Sequence, residues 1–77
     1  MISDARVARL LLDELFAASG DLDHSVATAL AECPTPEFEA YRRAVGQVLA
    51  EMWERLIEPI LAAHPDLTPP GLRDADA

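Results

Sequence analysis

Apolar residues recur along most of this chain at the three- and four-residue spacing of a helix, and no stretch alternates apolar and polar positions at strand spacing. The pattern predicts an all-α fold. It is clearest after Cys33-Pro34-Thr35-Pro36-Glu37, where Thr35 can cap a helix and Pro36 suits its first position. Glu37 and Glu39 then sit at the positive end of the helix dipole. With Val45 at zero and about 100° per residue, Phe38, Tyr41, Val48, Leu49, Met52, Trp53, Leu56 and Ile60 fall within an arc from about −60° to about +80°. Arg43, Gln47, Glu51, Glu54, Arg55 and Glu58 fall outside it. Pro59 removes one backbone hydrogen bond and is expected to kink the helix after Arg55 or Leu56. The apolar spacing continues beyond it to about Ala63, where His64-Pro65 ends the helix.

The first half predicts a helix from about Ser3 or Asp4, with Ser3 as its cap and Val7, Leu11, Leu15 and Ala18 as its apolar stripe. Ser19-Gly20-Asp21 leaves two arrangements open. Gly20 can close this helix and Asp21 cap a second one carrying Leu22, Val26, Ala29 and Leu30, or one face can continue through Gly20 to Cys33. Either way, two arms of nearly equal length, roughly 4 to 32 and 36 to 63, meet at the Pro34-Thr35-Pro36 corner as an antiparallel helical hairpin. Residues 1–64 form the hairpin domain. Residues 65–77 are expected to be an extended, proline-rich tail that becomes disordered.

Size changes what such a hairpin can do alone. The chain has 77 residues, and although 51% of them are apolar, fourteen of the apolar ones are alanine. A single cysteine and two histidines exclude a disulfide framework and give little material for a zinc site. An unbroken 28-residue arm is about 42 Å long, whereas a compact globule of this size has a radius of gyration of about 11 to 12 Å. The apolar arc of the second arm is also wider than the seam one facing helix covers. The strip Phe38, Tyr41, Val45, Val48, Leu49, Met52, Trp53, Leu56 and Ile60 is therefore expected to be a self-association surface, pairing two hairpins into a homodimeric four-helix-type bundle. A closed three-helix monomer, bent at Gly20, is the competing arrangement.

Fourteen acidic residues against six basic ones give a net charge of −8. Nucleic acid and anionic membranes draw affinity from clustered Lys and Arg, and the longest basic run here is Arg42-Arg43, so neither is an expected partner. A basic protein is a better match, since complementary charge speeds association. No targeting segment or membrane span is apparent, and a soluble cytoplasmic protein is the expectation.

Chemistry is sparse. Glu51, Glu54 and Glu58 lie on the polar face as solvated charges rather than a converging catalytic pair. Asp21 and His24 have metal-ligand spacing but face away from the apolar stripe. His64 is placed to meet free carbonyls at a helix end, and Cys33 reads as a core residue with no group to activate it. Arg42 falls within the apolar arc, where it can pair with Glu14 or extend its head to water. Gly46 and Ala50 form a small-residue notch beside Trp53 that a neighbouring backbone can approach. No catalytic, cofactor or metal site is expected. The function that follows is that of a non-catalytic, acidic helical interaction protein. The alternatives are a small-ligand or metal carrier with a site between protomers, lined by Trp53, Tyr41, Met52 and Arg42, and a docking role for Leu67 and Leu72 of the tail.

Overall fold

A computed structural model of the protein describes residues 1–71, and among these every regular element is helical. Helix α1 spans Ala5–Glu32, α2 spans Thr35–Met52, a π-helical turn covers Trp53–Ile57, α3 spans Glu58–Ala63, and a 3₁₀ turn covers Pro65–Leu67. The two arms form a hairpin measuring 45 × 26 × 16 Å with a radius of gyration of 14.9 Å. A single 28-residue helix sets the long dimension. No helix among the described residues is long and apolar enough to cross a membrane.

Helix α1 runs unbroken through Gly20, so Asp21 caps nothing. The glycine costs about 1 kcal/mol against alanine, and the continuous inward face offsets it. The cap at the start is Asp4 rather than Ser3. Its carboxylate accepts the backbone N–H groups of Arg6 at 2.8 Å and Val7 at 3.1 Å, satisfying two donors that the first turn leaves free. At the corner, Thr35 lies inside the helix, and Pro34 precedes it without a side-chain cap. Pro36 therefore occupies the second helical position, where its missing N–H also costs nothing. Cys33 is exposed at this corner, not part of the core.

The second arm departs from a uniform helix at the proline. Pro59 has no N–H to donate and its ring crowds the carbonyl four residues back. The preceding turn widens, and the Glu58 N–H donates to the Trp53 carbonyl, a five-residue span. A wider turn advances each residue by less than the α-helical angle, so the face rotates by roughly one residue step across it. Ile57, at about +120° on a regular wheel, is brought inward and is 1% exposed. Leu56 is carried outward and is 41% exposed.

Burial is lopsided. Ala8, Leu12, Ile57 and Ile60 form the buried cluster at the open end of the hairpin, with Ile2, Leu15, Phe16, Trp53, Leu61 and Leu67 packed around it. Of the expected stripe Val7, Leu11, Leu15 and Ala18, Leu11 and Leu15 pack against this cluster, Val7 is half-buried and Ala18 is exposed, while the residues of α1 that the cluster buries are Ala8 and Leu12 beside that stripe. Towards the corner, Ala29 and Val45 are the buried hydrophobic residues. Three cross-arm contacts and a terminal tether fix the register. The Tyr41 hydroxyl meets Ser25 Oγ at 2.7 Å, Ser19 Oγ meets Met52 Sδ at 3.1 Å, and the Phe16 and Trp53 rings lie 6.4 Å apart and tilted by 44°. His64 Nε2 donates to the Ile2 carbonyl at 2.6 Å, closing the open end.

The tail begins as a folded element rather than an extended one. Pro65–Leu67 turns back with backbone bonds from Leu67 to His64 and from Thr68 to Pro65, and Leu67 reaches the core. Leu72 and the residues after it, expected as docking and disordered positions, lie outside the described residues.

Candidate functional site

The nine residues of the apolar strip meet three fates. Val45 and Ile60 are buried within the chain, at 5% and 2% exposure. Phe38, Leu49, Met52 and Trp53 are partly covered by the facing helix. Tyr41, Val48 and Leu56 remain 41%, 50% and 41% exposed. These three share one flank: Tyr41 and Val48 lie at about −40° and −60° on the wheel, and the π-turn brings Leu56 into line with them. Val48, Met52 and Leu56 line one shallow open groove with Glu51 and Arg55 at its rim. Helix α1 covers the arc on the Val45–Leu49–Trp53 side and leaves this flank wet.

The local chemistry holds the flank in a fixed shape. Ser25 Oγ donates to the Leu22 carbonyl within its own helix, which uses its one proton, so the Tyr41 hydroxyl donates to Ser25. The phenol tip is anchored while its ring stays half-exposed. Glu51 and Arg55 pair one turn apart, as do Glu39 and Arg42 at 2.9 Å. Both pairs are solvated and contribute little stability, but they order the charged rim. Arg42 therefore extends to water and binds Glu39, not Glu14. The hairpin register sets its neighbour Tyr41 opposite Ser25, and Glu14 lies eleven residues, or about 16 Å, further along α1.

A second groove lies at the corner, lined by polar residues that include Asp21, His24, Glu32 and Glu37, with Tyr41 at its edge. Among the described residues no group of three or more His, Cys, Asp and Glu side chains is arranged to hold a metal ion. None buries a charged or polar side chain. The four residues considered for a carrier site separate: Trp53 packs on Phe16, Met52 on Ser19, Tyr41 on Ser25, and Arg42 on Glu39. Tyr41 and Trp53 are about 18 Å apart along the helix, beyond the reach of one small ligand within a single chain. The notch at Gly46 is open, since a Cβ there meets nothing within 4 Å.

No protein-family model, curated protein or solved structure matches this chain. Its own geometry is what bears on function. Ile57, Ala8 and Leu12 are the packing residues that periodicity passed over, and the signal for the first was Pro59, which follows a π-helical turn that shifts the helical phase.

Proposed function

We propose that this is a non-catalytic helical interaction protein that associates with itself through the exposed flank of its second arm. Two hairpins then form a homodimeric four-helix-type assembly in the cytoplasm. The observation that carries this proposal is the row Tyr41, Val48 and Leu56, three large apolar side chains on one flank, each left two-fifths or more exposed by the chain's own fold. Full burial of such a side chain contributes about 1.5 to 3 kcal/mol, so covering the exposed half of each gives about 1 kcal/mol. Scattered apolar residues need no explanation, but Val48 and Leu56 share one open groove with Met52, and Tyr41 lies on the same flank nearer the corner.

The test is the mass in solution by light scattering, for the unmodified chain and for Val48→Glu. Val48 faces water, so the variant keeps its helical circular dichroism while its carboxylate disrupts the pairing. A concentration-dependent dimer that Val48→Glu disperses is the expected result. Equal masses for both proteins contradict the proposal. The corner carboxylates of Asp21, Glu32 and Glu37 make no ion pair among the described residues, and this favours a basic protein as the further partner of the acidic exterior. An affinity for that partner insensitive to salt would rule out the electrostatic basis.

A further inference from the structure

We propose that the two ends of the chain form one clasp over the buried cluster, pinned by His64, which opens and closes as a unit while the hairpin stays folded. This device is independent of the self-association proposed above. Neither end can hold itself. Residues 1–4 precede α1, and the strap that follows α3 is a single 3₁₀ turn, Pro65–Leu67, with backbone bonds from Leu67 to His64 and from Thr68 to Pro65. Segments this short lose more conformational entropy on ordering than their local bonds return, and chain ends stay ordered only where something ties them down.

The ties converge on His64. Its ring Nε2 donates to the Ile2 carbonyl at 2.6 Å, across 62 residues of chain, and its own carbonyl accepts the Leu67 N–H at 3.0 Å. The Ile2 and Leu67 side chains pack against the same cluster of Ala8, Leu12, Ile57 and Ile60. His64 stands just outside α3, in neither helical nor extended backbone conformation, so its bond to Leu67 helps to set the ring against Ile2. Releasing Leu67 therefore frees the ring, and releasing Ile2 removes the ring's acceptor. Beyond Leu67 the strap stands off α1: Thr68, Pro69 and Pro70 face Arg9, Asp13 and Phe16 across a cleft of about 320 Å³, which leaves Leu67 as the strap's apolar anchor. The Ser19–Met52 and Ser25–Tyr41 contacts lie further towards the corner, and opening at this end leaves them in place.

Coupling between two sites is reciprocal, so each end should report on the other. Hydrogen exchange of the full chain, followed by nuclear magnetic resonance, reads the Leu67 and Thr68 amides at one end and those of Arg6 and Val7, which Asp4 holds, at the other. Ile2→Ala should speed exchange at Leu67 and Thr68 about fivefold, and Leu67→Ala should speed it at Arg6 and Val7 by the same factor, that of one ordinary hydrogen bond. Low urea should leave these rates unchanged and raise that of buried Val45, because opening a clasp exposes little surface. In a His64→Ala background both cross-effects should vanish, and in His64→Gln, whose side-chain amide can still donate, they should return. Cross-effects that are missing, that persist in His64→Ala, or that glutamine does not restore overturn the clasp. Loss of helical circular dichroism in Ile2→Ala or Leu67→Ala overturns it as well, because the ends then hold the hairpin together rather than close over it.

Discussion

Adjacent residues in the π-turn should respond oppositely to the same truncation. Ile57 is 1% exposed at the centre of the buried cluster, and its neighbour Leu56 is 41% exposed. Ile57→Ala removes three buried carbons and leaves a cavity among Ala8, Leu12 and Ile60, a change that costs about 2 to 5 kcal/mol, and the near-complete burial places it at about 4. Leu56→Ala loses partial contact on a wet flank, about 1 kcal/mol in the single chain. A 77-residue domain holds only about 4 to 11 kcal/mol in total, so Ile57→Ala sits near the limit of folding. Ile57→Val, at about 0.5 to 1.5 kcal/mol, provides a graded companion. The assay is urea unfolding followed by Trp53 fluorescence and helical circular dichroism, at dilution where single chains dominate. An unbroken α-helix through Pro59 centres Leu56 on the inner face and turns Ile57 outward. If Leu56→Ala costs as much as Ile57→Ala, the phase shift at the π-turn is wrong.

Further outcomes follow from single contacts. Gly20→Ala should stabilise by about 1 kcal/mol, raising the melting temperature by about 4 to 8 °C, because the added methyl meets no atom within 4 Å. Gly46→Ala should give a similar gain without altering dimerisation, since Gly46 lies well round the helix from Val48; a loss of dimer would move the interface to the Gly46–Ala50 notch. His64→Ala removes the donor to the Ile2 carbonyl and should cost about 1 kcal/mol, with faster hydrogen exchange in the first turn of α1; unchanged exchange there would show that the tether is idle. Leu67→Ala should cost about 1 to 2 kcal/mol in urea unfolding, whereas a tail acting only as a spacer would leave stability unchanged.

Periodicity was sufficient for the gross fold because both arms carry long apolar faces and a proline corner separates them. It located the end of the second arm near Ala63 and left the passage through Gly20 open. There the opposing effects, a glycine's propensity cost and a continuous face, are of similar size, and only tertiary packing decides. Ile57 was missed for a different reason. A fixed angle per residue carries no provision for a turn that widens, so Leu56 was placed inward and Ile57 outward, the reverse of what is found, while Ile60 keeps its inward place. Ala8 and Leu12 were passed over because the stripe was drawn through Val7, Leu11, Leu15 and Ala18, and the cluster that buries them takes Ile57 and Ile60 from the second arm. For the interaction surface, the strip was legible as a whole. Its division into a covered half and a wet half depends on which side α1 takes, and the Ser25–Tyr41, Ser19–Met52 and Phe16–Trp53 contacts set that side.

Sedimentation equilibrium of the unmodified chain across a hundredfold range of concentration tests the wet flank most directly. Reversible growth from the 8.4 kDa of one chain to twice that mass, and no further, is the result that an apolar row covered by a second copy predicts. A constant mass of one chain throughout would show that Tyr41, Val48 and Leu56 remain in water, and that the second arm is not a surface for its own kind.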